Sequence, residues 1–218
     1  MLRTNVYVDA FNLYYGALRR TPYKWLDLAK LCAVLLPKHQ IQHIKYFTAR
    51  VRARPDDPDQ PTRQQIYLRA LHTLPNLSVY YGHFLTHRVS MPLADRVGGK
   101  QKYVWVLKTE EKGSDVNLAT HLLADGFRND YEAAVVISND TDLLEPIRVV
   151  RTQLGKVVGL LHPDLHHRPS QVLTNEVTFF KHIRQHALET SQFANRLVDR
   201  HGPFQKPGRW QTPAGRES

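Results

Sequence analysis

Ala133-Ala134-Val135-Val136-Ile137-Ser138-Asn139-Asp140-Thr141-Asp142 is the stretch that decides the fold. Its first five residues are apolar without alternation, as expected of a strand buried on both faces of a parallel sheet. The next five carry two carboxylates, an amide and two hydroxyls, so polar chemistry sits just past a strand's carboxyl end. Outward from there, β-type runs alternate with helical ones, the pattern of a parallel sheet covered by helices. Asn5-Val6-Tyr7-Val8-Asp9-Ala10 reads as the first strand and His43 to Ala49 as the second. Between them Leu28, Leu31 and Leu35 recur at helical spacing up to Pro37, where a helix must stop. Thr62 to Leu74 is expected to be helical and to run into a strand from Leu77 to Leu85. Further core units are expected as a strand at Tyr103 to Leu107 and a helix at Asp115 to Phe127. Past the deciding stretch come a helix from Asp142 to Leu154, closed by Gly155, and a strand from Lys156 to Leu161. Arg54 to Pro61 and Thr86 to Gln101, the latter holding Gly98-Gly99, read as loops. Val172 to His186 reads as a short strand and a helix. The boundaries expected are a domain over residues 1–190 and a basic, flexible tail over 191–218, where Gly, Pro and Gln prevail from about Arg200.

The chain has 218 residues, enough for one sizeable core. Its single cysteine, Cys32, lies in an apolar run, which excludes an intrachain disulfide or a Cys-based zinc cluster and suits a reducing compartment. No segment approaches the ~20 apolar residues that span a bilayer, and the N-terminus does not read as a signal peptide. The expectation is a cytoplasmic protein with no membrane partner. Thirty Lys+Arg against twenty Asp+Glu leave a net charge of +10, which favours polyanions without deciding the matter. Neither a Gly-x-Gly-x-x-Gly fingerprint nor a P-loop is present, so the sequence offers no dinucleotide or NTP cradle.

In open parallel sheets, sites form outside the carboxyl ends of the strands, where the strand order reverses. Asp9 closes the first strand, and Asp140 and Asp142 follow the apolar run at 133–137. Asp115 stands four and seven residues before Ala119 and Leu122, at the start of a helix's apolar face. Carboxylates gathered this way repel one another, and a divalent cation resolves the conflict. All-oxygen ligation suits Mg²⁺ or Mn²⁺ better than zinc. Each residue also has a local explanation: a capping box for Asp142 with Glu145, a helix-dipole partner in Asp115, a turn former in Asn12, a strand end at Asp9. Glu110 and Glu111 read as solvated loop charges. The metal-site reading rests on all these aspartates falling at the same end of the sheet.

Tyr7-Val8-Asp9-Ala10-Phe11-Asn12 resembles the Asp-x-x-Asn signature that opens NYN domains, the PIN-like nuclease branch that includes the bacterial LabA-type proteins. Lys112-Gly113-Ser114-Asp115, followed by Ala119, is similar to that family's Lys-Gly-x-Asp helix start. Ser138-Asn139-Asp140-Thr141-Asp142-Leu143 is similar to its Ser-x-Asp-x-Asp element with a trailing apolar residue, Asn139 standing where many relatives carry glycine. The resemblance implies an α/β fold, a PIN-like three-layer α/β/α sandwich with a central mainly parallel sheet. It further implies an endoribonuclease with an acidic Mg²⁺/Mn²⁺ site.

In that reading Asp9, Asp115, Asp140 and Asp142 hold metal, with Asp9 and Asp140 as direct ligands, Asp115 and Asp142 either ligating a second metal or acting through water, and Asn12 orienting a metal-bound water or a phosphate oxygen. Ser138 donates to a phosphate or to a ligand carboxylate, Asn139 contacts substrate, and Lys112 either contacts the substrate backbone or is a solvated lysine that moderates the carboxylates' repulsion. Lys45, Arg50, Arg52 and Arg54 grip the phosphate backbone without sequence preference. Tyr14, Tyr15 and Trp25 read either as base-stacking rings or as core, and His162, His166 and His167 as loop residues. The partner is RNA, single-stranded or structured, with DNA open as well, and a homodimer is compatible with the reading. Two rivals stand beside it: a nucleic-acid-binding regulatory module without turnover, and a structure-specific DNA nuclease of the same fold. A haloacid-dehalogenase-type phosphatase would need an aspartate where Phe11 stands.

Overall fold

The computed structural model describes residues 1–95, 101–164 and 168–211. Its first half runs β1 (Leu2–Asp9), α1 (Ala10–Leu13), α2 (Leu28–Leu35), β2 (His39–Thr48), α3 (Gln60–Leu71), β3 (Leu77–Tyr81), β4 (His83–Pro92) and β5 (Tyr103–Lys112). The second runs α4 (Ser114–Phe127), β6 (Ala133–Ile137), α5 (Leu144–Thr152), β7 (Val157–His162), α6 (Gln171–Asn175), β8 (Phe179–His182), α7 (Gln185–Thr190), β9 (Arg196–Asp199) and β10 (Gly202–Gln205). Six strands form one sheet in the order β3-β2-β1-β6-β7-β8, every neighbouring pair parallel. From β1 the chain builds outward to β3, then returns to the other side of β1 and builds outward again. The reversal therefore lies between the carboxyl ends of β1 and β6, where Asp9 and Ser138 stand.

The sheet is covered on both faces, as its continuous apolar strands require. On one face Tyr7, Phe47, Val136, Val158 and Leu160 meet Leu118 and Leu122 of α4 and Ile147 and Val150 of α5. On the other, Val6, Val8, Ile44, Val135 and Ile137 meet residues of α2, α3 and α7, among them Leu31, Leu68 and Leu188. These are the three α/β/α layers expected from the sequence. The β6 run is buried throughout. Local signals set the helix starts: Asp27 accepts hydrogen bonds from the amides of Ala29 and Lys30 ahead of α2. Ahead of α4, Gly113 takes a φ of 97°, a conformation open to glycine and costly for other residues.

Three expectations are corrected. Tyr103 to Leu107 is not a core strand, and Thr86 to Gln101 is not a plain loop. β4 and β5 pair antiparallel over ten residues each and stand off the main sheet as a hairpin. Gly98 and Gly99 lie outside the described residues. The expected strand from Leu77 to Leu85 is broken at Gly82, whose amide donates to the Thr48 carbonyl at 2.7 Å. A methyl group there would collide with the Glu111 carboxylate and the Lys112 carbonyl, so the chain can leave the sheet at this point only through glycine. The flexible-tail expectation fails for residues 191–211. β9 and β10 form a second hairpin, and Phe193, Phe204 and Trp210 surround the buried Trp25. Asp199 anchors it by accepting two hydrogen bonds from the Arg69 guanidinium, at 2.7 and 2.6 Å. The bland composition concealed this, because a few aromatic anchors were enough to dock the segment.

Lys45 is likewise not free to grip substrate. Its ammonium pairs with buried Asp125 at 2.6 Å, and Asp125 also accepts the Tyr7 hydroxyl at 2.7 Å. The β2–β1 register puts Lys45 beside Tyr7 on the face covered by α4, which fixes its direction away from the loop beyond β2. Removing one partner strands a buried charge. Asp125→Ala should cost about 3–5 kcal/mol in urea unfolding, and adding Lys45→Met should recover part of it. The tail clasp should be pH-sensitive. The Arg69 guanidinium holds the Asp199 carboxyl below the usual carboxylate range, so its contribution is complete above about pH 4 and is lost as pH falls further. Tryptophan fluorescence from Trp25 and Trp210 should report undocking of the segment in that acid window, and limited proteolysis at Arg196 and Arg200 should accelerate at neutral pH in Asp199→Asn.

Candidate functional site

Asp9 is the best-held carboxylate of the sheet's reversal point. It ends β1, is 3% exposed, and caps α1. Its Oδ1 accepts the Asn12 amide at 3.0 Å; its Oδ2 accepts the Asn12 side-chain amide at 2.7 Å and the Ser138 hydroxyl at 2.9 Å. Burial pushes the Asp9 pKa up, the hydrogen bonds from Asn12 and Ser138 oppose it, and Asp140 raises it further. Ser138 in turn accepts the Asp140 amide at 3.1 Å, and Asp140 accepts the Asp142 amide at 3.0 Å. The Asn12 side-chain oxygen Oδ1 accepts the Asn139 backbone amide at 3.2 Å. One chain of hydrogen bonds thus ties the end of β1 to the loop after β6. Both hydrogen-bonding roles of Ser138 are taken up within the protein, so of its two expected roles it performs the one toward a carboxylate.

Asp9, Asp140, Asp115 and Glu111 line one cleft of about 510 Å³. Asp115 enters from the first turn of α4, where the sequence placed it. Its pKa is pushed up to about 6, first by burial and then by Asp9, Asp140, Glu111 and Asp142. Asp142 is exposed at the rim and lines no part of the cleft, though its charge is felt by Asp115. Among the described residues no three such side chains are already gathered around one point as a metal cage. The donor set still fits a hard, strongly hydrated ion: every donor is oxygen, and Mg²⁺ needs only one or two carboxylates alongside water.

The cationic residues divide. Arg52 and Arg54 line the cleft as expected. Arg50 does not: its guanidinium lies 5.2 Å from the ring centre of Tyr81, in a separate hollow beside Arg69 and Asp199. Lys112 is exposed and paired with Glu110 at 3.5 Å. Asn139 turns its side-chain oxygen to the Ser170 amide at 3.0 Å and so bridges to the chain beyond β7. His162 ends β7 and is buried, so it is not a loop residue, while His166 and His167 lie outside the described residues. Trp25 is core; Tyr14 and Tyr15 line a second, aromatic cavity of about 90 Å³ that opens beside the cleft.

Sequence reasoning missed the cleft's far wall. Phe84 and Thr86 of β4 and Thr109 and Glu111 of β5 form it, fastened by Phe84 against Phe11 with ring centres 5.8 Å apart. Glu111 is no solvated loop charge: it accepts the Ser114 amide at 3.1 Å and the Ser114 hydroxyl at 2.5 Å. Its spacing of three residues before Ser114 was the available signal.

The NYN domain family model matches residues 3–183. The chain belongs to the NYN domain family. Among curated proteins it is similar to 6-hydroxy-3-succinoylpyridine 3-monooxygenase HspA of Pseudomonas putida, 28% identical over 94% of this chain and 73% of that relative. Among solved structures it is similar to a Vibrio parahaemolyticus protein of unknown function, with a TM-score of 0.55 and 17% identity over 84% of this chain and 94% of that one. The latter likeness concerns the fold. No described helix of this NYN protein is long and apolar enough to cross a membrane.

Since like charges surround Asp115, Asp115→Asn should stabilise the metal-free protein by ~1 kcal/mol after solvent screening, roughly 2–4 °C in Tm. Mn²⁺ should raise the Tm of the parent and raise that of Asp140→Asn much less, as read by differential scanning calorimetry.

Proposed function

We propose that this NYN protein is a metal-dependent endoribonuclease. The observation that carries the reading is the cleft itself, with a buried, hydrogen-bonded Asp9 on its floor, Asp115, Asp140 and Glu111 around it, and Arg52 and Arg54 on its rim. Asp9 and Asp140 would hold Mg²⁺ or Mn²⁺ directly and Asp115 would act on it through water, while Asp142, outside the cleft's lining, would contribute its charge. When bound, the ion supplies a Lewis acid for the phosphoryl oxygen and lowers the pKa of its water. The protein's own residues do the rest. Arg52 and Arg54 bind phosphate oxygens and set the strand's path, while Asn12 and Ser138 keep Asp9 in one orientation. The hairpin wall at Phe84 and Thr86 narrows the approach. A homodimer and a cytoplasmic setting accord with this proposal, and DNA is a second substrate to be measured beside RNA.

A second reading has its own support: the similarity to a monooxygenase of a hydroxypyridine, together with an aromatic cavity beside the cleft. In that reading the cavity holds the ring of a small heteroaromatic acid for oxygenation by dioxygen with a two-electron donor.

Labelled single-stranded RNA incubated with Mn²⁺ should be cut by the parent, and cleavage should fall by ~10²-fold or more in Asp140→Asn. Arg52→Ala and Arg54→Ala should raise KM and lower the salt dependence of binding, by about one unit of slope for each phosphate no longer neutralised. RNA bound but left intact by both parent and Asp140→Asn would overturn the nuclease; oxygen uptake with a hydroxypyridine acid and reductant would establish the second reading.

A further inference from the structure

The aromatic cavity is more elaborate than the packing of α1 requires. Rings of Phe11, Tyr14, Tyr15, Tyr46, Tyr67 and Trp210 line it. They come from four places far apart in sequence: the segment after Asp9, β2, α3 and the end of the described chain. Its volume of about 90 Å³ leaves room for one small ring. Phe11, Tyr15, Val51 and Gln60 line both this cavity and the acidic cleft, so the two are neighbours that share a wall.

Three features set the cavity apart from ordinary core. First, Tyr14–Leu18 form a turn of π-helix, with the Arg19 amide donating to the Tyr14 carbonyl at 2.7 Å. Such turns are rare and concentrate at functional sites. Here the turn places two successive tyrosines, ring centres 5.3 Å apart, on the cavity wall.

Second, the polar groups are unevenly committed. The Tyr67 hydroxyl donates to the Leu26 carbonyl at 2.9 Å and Arg63 is paired with Asp57. The Tyr14 and Tyr46 hydroxyls make no hydrogen bond among the described residues. Lys24 reaches the Thr21 carbonyl at 2.5 Å, but no carboxylate among the described residues lies within ion-pair distance of it. Burial and the neighbouring Lys206 lower its pKa, as an ammonium without a counter-charge would show.

Third, the wall is closed by an anchored strap. Arg209 pairs with Asp57 at 2.8 Å, and the adjoining Trp210 lies with its ring centre 6.2 Å from that of Tyr67.

We propose that this cavity is a receptor for a planar heteroaromatic ring bearing an anionic substituent, with Trp210 and the tyrosines against the ring and Lys24 toward the anion. The ring is the nucleobase of the nucleotide next to the phosphate in the cleft; this identification rests on the nuclease reading, whereas the receptor does not. Aromatic walls accept any base face, and the hydroxyls of Tyr14 and Tyr46 supply hydrogen bonds to ring heteroatoms.

The test is isothermal titration of the full-length, metal-free chain with uridine 5′-monophosphate, ribose 5-phosphate and 6-hydroxynicotinate. The nucleotide should bind and the ringless phosphate should not. Trp210→Ala and Lys24→Gln should each weaken nucleotide binding by about tenfold or more, with Trp210→Phe largely retaining it. Equal binding of ribose 5-phosphate and the nucleotide, or unchanged affinity in both Trp210→Ala and Lys24→Gln, would overturn the receptor. Absence of binding by any probe at millimolar concentration would do the same. Binding of 6-hydroxynicotinate alone would keep the receptor and overturn the nucleobase assignment. Because no metal or turnover is involved, failure of RNA cleavage leaves this result intact, and failure here leaves cleavage to be judged separately.

Discussion

A carboxylate buried at the point where the strand order reverses is the constraint on which the rest of this site depends. Asp9 is 3% exposed, and an ionised group in that position is costly unless donors surround it. Two donors come from Asn12, one turn onward in its own segment, and one from Ser138, at the end of the adjacent strand β6. The pairing of β1 with β6 therefore serves more than the backbone ladder, since a change of register would carry Ser138 away from Asp9. With that contact made, Ser138 also receives the amide of Asp140, so the second carboxylate is positioned by the same hydroxyl that holds the first. The sheet's topology and the site's geometry are one problem with one solution.

This is also why so much of the site was legible in the sequence. Aspartates that follow apolar runs can be located without coordinates, because strand periodicity and parallel topology dictate where strand ends meet. Asp9 and Asp140 are legible this way, and Asp115 is legible through the helical spacing of Ala119 and Leu122 behind it. Legibility failed where the direction of a side chain or a non-local contact decided the matter. Lys45 sits in a strand that leads toward the cleft, yet its parity in β2 turns it toward α4 and Asp125. Arg50 and Arg52 are two residues apart and serve different hollows. Glu111 reads as a loop charge in the sequence because the strands of the hairpin that carries it are exposed on both sides and lack the alternation of a half-buried strand. The tail's docking is hidden for a related reason: composition reports mean polarity, while docking depends on Phe193, Phe204 and Trp210 converging on Trp25.

The charge of +10 takes on structure once these residues are placed. Part of the positive charge is engaged internally, at Lys45 with Asp125, Arg69 with Asp199, and Arg148 and Arg151 with Glu176. What faces the cleft is smaller and better defined: Arg52 and Arg54 on one rim, with carboxylates on the floor. In the proposed nuclease a polyanion would be drawn by the overall field and oriented by the two arginines, and the negative floor would oppose its closest approach until a cation intervened. On that proposal net charge would govern encounter, and the local arrangement what happens afterwards.

The far wall adds a directional element to that arrangement. Cross-strand pairing puts Phe84 opposite Glu111 and Thr86 opposite Thr109 on the cleft side, and alternation continues the same side outward through Arg88 opposite Leu107 and Ser90 opposite Trp105. Arg88 lies over the Trp105 ring at 5.5 Å, and Trp105 and Leu107 are 67% and 74% exposed. A two-stranded ribbon with no third strand is only marginally stable alone. This one is secured at its base by Gly82 against Thr48, by Phe84 against Phe11 and by Glu111 against Ser114, the same contacts that shape the cleft. Base and site are consequently coupled: what loosens the root of the hairpin also displaces Glu111, while changes toward its tip alter only how the wall extends from the carboxylates. The hairpin is therefore part of the site's construction at one end and its outward continuation at the other.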